Sequence, residues 1–232
     1  MTPTLPATPL FYRVPTLPSG GIRTADLPGC TGLRITYSIG RNALDDTTEF
    51  SFRELEFVVA RKGGLCVAHG RCVLVTAAPN ADPLDMLDTA ADQSEEYLEL
   101  ADVIAGRCSE GLQTFDRGPI LALQYIELRR TLRGRGMGVS VGLSVLRLLS
   151  RRFRVAMAMW RPYPLQYLDL APPELRALRG EINEATRCLS EHYRARWGAA
   201  RLGASGWLGW VPPGGAFELH GNKTHWWLDV PA

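Results

Sequence analysis

Residues 120–149 read ILALQYIELRRTLRGRGMGVSVGLSVLRLL. Ile120 to Leu128 is a run of apolar and β-favouring residues, the pattern of a buried strand. From Val139 to Leu149, the apolar residues Val141, Val145, Leu148 and Leu149 recur on one helical face. Between the two lies Arg133-Gly134-Arg135-Gly136-Met137-Gly138. The first turn of a helix leaves backbone N–H groups unpaired and carries positive partial charge. Glycines let that backbone approach an anion closely, and Arg133 and Arg135 add full charges that pair with phosphate oxygens. A strand running through such a loop into a helix fits a pyrophosphate.

Two common pyrophosphate loops do not match. A Walker A loop requires Gly-Lys before Ser or Thr, and no lysine lies here. A dinucleotide fingerprint requires a third glycine where this chain has Val139 or Val141, and the next predicted strand, Val155–Trp160, does not end in an acidic residue to hold a ribose. Arg133, Gly136 and Gly138 instead fit Arg-x-x-Gly-x-Gly. This resembles motif A of the GNAT superfamily of acyl-CoA N-acyltransferases. The element order over roughly residues 50–230 agrees with it. The segment Arg161-Pro162-Tyr163-Pro164-Leu165-Gln166 resembles a signature of a poorly characterised bacterial branch of that superfamily.

The resemblance implies a GNAT-like α/β fold: a mixed, partly antiparallel twisted sheet with flanking helices and a splayed central strand pair, here Ile120–Leu128 and Val155–Trp160. It implies acetyl-CoA as co-substrate. The backbone near Leu128, Arg129 and Arg130 would hold the pantetheine arm, and Arg133, Gly134, Arg135, Gly136, Met137 and Gly138 the pyrophosphate. The acceptor would be a small or peptidyl amine. Homodimers are common in the superfamily and are allowed here.

Working outward, residues 1–29 contain six prolines and read as an extended arm, with residues 30–232 as one domain. Leu33–Ile39 alternates as a strand, and Asp45 to Thr48 is a loop. Glu54–Arg61 and Leu65–Thr76 form a hairpin about the Lys62-Gly63-Gly64 turn. Asp82 and Pro83 open a helix expected to run to Gly106, apolar on Leu84, Leu87, Ala91, Tyr97, Leu98, Ala101 and Ile104. Pro173 opens a further helix ending at Gly198. Strands are expected at Trp207–Val211, Ala216–His220 and Thr224–Val230.

The catalytic groups are less regular. Amine acylation needs a proton acceptor. Glu127, on the strand beside the expected thioester, is the first candidate, with pairing to Arg129 or another strand neighbour as its structural alternative; Glu56 is a weaker second. Many GNAT proteins carry Tyr-Tyr-x-x-x-Gly-Phe at the end of the last helix, the second Tyr donating a proton to the departing thiolate. Here the stretch is Tyr193 to Ala199, which places Arg194 at the acid position and Ala199 at the Phe. A guanidinium does not give up a proton near neutrality but can stabilise a thiolate electrostatically. Tyr193 lies one residue earlier, on the apolar face, where core packing competes with catalysis. These departures keep a second class open: a non-catalytic GNAT-fold module that binds acyl-CoA or another protein.

Composition narrows the rest. A net charge of +2 does not indicate a nucleic-acid partner. No apolar run reaches the roughly 18 residues of a membrane span, and no signal peptide is evident, so a cytoplasmic location is expected. Five widely spaced cysteines without C-x-x-C argue against a disulfide framework, and Cys66 and Cys72 share strand parity, hence one hairpin face. None of the four histidines has metal-ligand spacing, so no metal is expected.

Overall fold

The computed structural model of the chain describes residues 17, 21–40, 49–78, 81–107, 118–164, 167 and 170–213. Its strands are β1 (Arg23–Asp26), β2 (Leu33–Ile39), β3 (Phe50–Arg61), β4 (Cys66–Ala77), β5 (Ile120–Leu128), β6 (Met157–Trp160), β7 (Ala200–Arg201) and β8 (Leu208–Trp210). They form one sheet in the order β1-β2-β3-β4-β5-β6-β8-β7. The β5–β6 pair is parallel, and the other neighbours are antiparallel. The helices are α1 (Pro83–Ala91), α2 (Glu95–Arg107), α3 (Met137–Phe153), α4 (Pro172–Ala177) and α5 (Arg179–Trp197), with a 3-10 turn at Arg130–Leu132. The fold is thus mixed α/β, with a largely antiparallel sheet, as expected.

Strand alternation gives the sheet two buried faces. On one, Ile35, Leu55, Phe57, Leu74, Leu121 and Leu123 pack against Val141, Val145 and Leu149 of α3 and Trp197 of α5. On the other, Phe50, Phe52, Val73, Val75, Ile120 and Ala122 pack under Met86 of α1 and Leu100 and Ile104 of α2. Each fully buried Leu or Phe, such as Leu146 or Phe57, contributes roughly 1.5–3 kcal/mol by removal from water. Arg23–Asp26, within the expected arm, adds the edge strand by pairing with Arg34–Tyr37.

Several boundaries differ from the sequence reading. The helix expected at 83–105 is two. Asp82 caps α1 as anticipated, its carboxylate accepting from Leu84 N at 2.9 Å. The chain then breaks, and Ser94 Oγ accepts from Tyr97 N at 3.2 Å to start α2. The break resets the apolar phase, leaving Leu84 66% and Leu98 38% exposed. The helix opened by the prolines also breaks, at Leu178, into α4 and α5. Helix α3 starts two residues earlier and ends four later than expected. Strand β6 starts at Met157 rather than Val155, β3 starts four residues earlier than expected, and β8 is confined to Leu208–Trp210. A register shift at Val67 lies between Cys66 and Cys72; Cys72 is buried and Cys66 only partly so. The expected loop at 45–48, the strands at 216–220 and 224–230, and Trp226 and Trp227 lie outside the described residues. Among the described residues, no helix is long and apolar enough to cross a membrane.

Candidate functional site

The site begins where β5 and β6 part. They pair from Ile120 with Met157 to Leu123 with Trp160, and no further. On its other edge β5 stays bonded to β4 as far as Leu128 opposite Ala68, but Gln124 is an extra residue with no partner on β4. This bulge flips the alternation. Before it Leu121 and Leu123 face α3; after it Ile126 and Leu128 do. Tyr125 and Glu127 therefore turn to the α2 side. Meanwhile β6 ends at Trp160, and Pro162 and Pro164 carry the chain away. Among the described residues, the backbone of Gln124 to Glu127 has no strand paired with it on the β6 side.

The opened wedge holds a cavity of about 200 Å³. Leu123 to Leu128 and Arg133 form one wall, Trp160 to Tyr163 another, and Leu189 and Tyr193 of α5 the roof. Gln124 Oε1 and Trp160 Nε1 are buried here without a hydrogen-bond partner among the described residues. Tyr193 meets Trp160 edge-on at 5.9 Å between centroids and Trp197 at 4.4 Å. It is at once a packing residue and a cavity wall. Burial pushes its phenol above the ordinary value. Arg194, beside it, does not line the cavity; its Nε is buried without a hydrogen-bond partner among the described residues.

The Arg/Gly loop lies at the same end of β5. Gly134 and Gly136 have φ of +74° and +71°, and Gly136 is the N-terminal cap of α3. At both, a Cβ would meet nothing within 4 Å, so glycine answers here to backbone conformation rather than to a neighbour. At Gly138 a Cβ would lie 3.0 Å from Leu128 Cδ1. The glycines thus leave the first N–H groups of α3 uncovered. Beside them opens a second cavity of about 740 Å³, basic through Arg61, Lys62, Arg135 and Arg196, with His192 on its wall. Helix α5 is fixed to α3 by Trp197, whose Nε1 donates to Val139 O at 3.0 Å.

Arg133 does not point along the loop. Its Nε donates to Leu128 O at 3.0 Å, and its Nη2 to Glu127 Oε1 at 2.9 Å. The other Glu127 oxygen lies 3.1 Å from His69 Nε2 on β4. The side-chain partners of Glu127 are therefore Arg133 and its cross-strand neighbour His69, rather than Arg129. Strand parity alone does not predict this pairing, because the bulge decides which β5 side chains face His69. Further out on this face, Arg71 bonds Glu54 and Glu96, and Tyr97 Oη donates to Glu54 Oε1 at 2.8 Å. Burial, then the Glu54 bond, pushes the Tyr97 phenol well up. Glu56 shares this side but does not line the wedge. Arg161 closes the rim through Glu99 of α2.

No protein-family model and no curated protein matches the chain. Among solved structures it is similar to an agmatine N-acetyltransferase variant in its apo form, with 14% identity, a TM-score of 0.32, and 48% of this chain and 52% of that one covered. It is similar to arylalkylamine N-acetyltransferase 2 of Aedes aegypti at 11% identity and a TM-score of 0.32, covering 46% and 49%. A Drosophila melanogaster polyamine N-acetyltransferase matches at 14% identity and a TM-score of 0.31, covering 54% and 56%. The chain spans about half the length of these three. At such scores the likeness carries no argument about activity.

Proposed function

We propose that this chain is a GNAT-type N-acyltransferase that takes an acetyl group from acetyl-CoA and gives it to an amine. The observation that carries the reading is local. A bulge at Gln124 parts β5 from β6, and within ten residues the same strand feeds an Arg/Gly loop capping α3.

The residues fit the coenzyme. The N–H groups at the start of α3, with Arg135, suit the pyrophosphate. Backbone groups of Gln124 to Glu127 suit the amides of the pantetheine arm, whereas at the expected positions Leu128 O, Arg129 N and O, and Arg130 O are already bonded to Arg133 Nε, Val67 O, Leu132 N and Arg133 N. The coenzyme supplies the acyl group as a thioester. The amine would reach it from the α2 side of the sheet, where Glu127 faces. There the Glu127 carboxylate takes the proton of the attacking nitrogen as the C–N bond forms and the C–S bond breaks. Strand N–H groups beyond Leu123 polarise the carbonyl. Tyr193, whose phenol is protonated near neutrality and which lines the wedge, is better placed to donate toward the thiolate than Arg194, which stays outside it.

The alternative, a GNAT-fold module that binds acyl-CoA without turnover, draws on the guanidinium at 194. Thiol release from acetyl-CoA over a panel of amines separates the two. Transfer that slows at least about a hundred-fold in Glu127→Gln supports the enzyme. Equal rates in wild type and variant remove Glu127 from the mechanism, and no release with any amine while acetyl-CoA binds favours the module.

A further inference from the structure

Arg133 sits in the pyrophosphate loop, yet its guanidinium is engaged by Glu127, the residue on the acceptor side. Its Nη2 is 2.9 Å from Glu127 Oε1, and its Nε holds Leu128 O. The pair is only part-exposed, with 38% of the Arg133 side chain and 22% of the Glu127 side chain accessible. One cation thus stands between two anions: a carboxylate now paired with it, and the pyrophosphate for which the loop is shaped.

We propose that Arg133 couples the two sites, releasing Glu127 when the coenzyme's pyrophosphate binds. The inference rests on the acetyl-CoA reading. A pyrophosphate carries more charge than a carboxylate and offers a guanidinium fork two oxygens. Arg133 is attached to the loop itself, three residues before Gly136, so a change of rotamer redirects it. Glu127 does not lose its place when this happens. Its second oxygen stays 3.1 Å from His69 Nε2, and β4 holds the backbone of Glu127 opposite His69. Glu127 Oε1, which now accepts from Arg133 Nη2, is vacated by the rotamer change for the proton of the incoming amine once the acyl donor is in place. His69 acts as a positioning residue, keeping the carboxylate aimed.

Competition for one guanidinium is measurable without knowing the acceptor. Calorimetric titration with acetyl-CoA is run on wild type, Glu127→Gln, Arg133→Gln and the double variant, with circular dichroism to check that each is folded. Removing the carboxylate frees Arg133, so Glu127→Gln is expected to tighten acetyl-CoA roughly three-fold, the scale of a part-exposed ion pair. In the Arg133→Gln background the same substitution is expected to change nothing. Arg133→Lys, which keeps the charge but not the fork, serves if Arg133→Gln does not fold; there the gain is expected to shrink. The same tightening in both backgrounds would mean that only a repelling charge was removed, and the coupling would be wrong. No tightening in the wild-type background would also overturn it. Acetyl-CoA failing to bind wild type would bring down the coenzyme reading as well, which distinguishes the two failures.

Discussion

Gly70 of β4 stands so close to the Tyr125 carbonyl of β5 that a Cβ on Gly70 would lie 2.3 Å from that oxygen. Phe57 Cζ would be 2.5 Å away on the other side. Gly70 pairs with Ile126, two residues beyond the bulge at Gln124. A strand glycine here makes room for the bulged backbone, and the bulge parts β5 from β6. Gly70→Ala should push β5 away or undo the bulge. Overpacking of this kind costs roughly 1–3 kcal/mol, a fall of several degrees in Tm for a chain of this size. Misalignment of the wedge should weaken acetyl-CoA at least about ten-fold. Calorimetry and scanning fluorimetry test both, and unchanged affinity would show that the divergence does not depend on Gly70.

Gly136 separates strain from charge. Its φ of +71° disfavours any side chain, while the space around it is open. Gly136→Ala should cost about 1–2 kcal/mol of stability and leave much of the acetyl-CoA affinity. Gly136→Asp adds the same strain and sets a carboxylate at the positive end of α3. It should abolish measurable binding while the protein remains folded. Undiminished affinity in Gly136→Asp would remove the loop from the coenzyme site.

The elements that position the site were legible wherever local chemistry alone decides them. Ile120–Leu128 is the observed β5 residue for residue, because a short, mainly apolar and β-favouring run bounded by turn residues reads as a buried strand. Asp82 and Pro83 open α1 because cap and proline act within a single turn. The reading failed where a short polar signal interrupts a long apolar pattern. Ser94 starts α2 with one hydroxyl, and the periodicity on either side hid it. It failed again where the outcome is tertiary. Glu127 was found as a candidate, with a strand neighbour as its alternative partner, but which neighbour was not legible, since the facing of Glu127 toward His69 depends on the bulge at Gln124. Gly70 carried a signal for that bulge. For Tyr193 the sequence leaves packing and catalysis in competition; its contacts with Trp160 and Trp197 are those of a packing residue, and the same position makes it the roof of the wedge.

Stability should decline in alkali, and the sign follows from burial. Burial pushes the Cys72 thiol well above the ordinary thiol value. The neutral thiol is thus favoured by the fold. That stability is fully present below the unfolded-state pKa and is lost as pH rises above it toward the folded value, because the unfolded chain releases the proton first. Tyr97, Tyr125 and Tyr193, all raised chiefly by burial, extend the loss above about pH 10. The urea midpoint should be flat from pH 7 to 8 and fall between about pH 9 and 11. Cys72→Ala should make the decline below about pH 10 shallower without removing it, since Cys66 is also raised by burial and Cys188 by its bond to Glu184. A midpoint that rises over this range would contradict the assignment.

The account depends most on the claim that the Arg133–Gly138 loop and the wedge beside it take acetyl-CoA. Calorimetric titration of the wild-type chain with acetyl-CoA, alongside NADH as a second pyrophosphate ligand, tests this directly. The account predicts saturable binding of acetyl-CoA and none of NADH. No binding of acetyl-CoA, or equal binding of both, would contradict it.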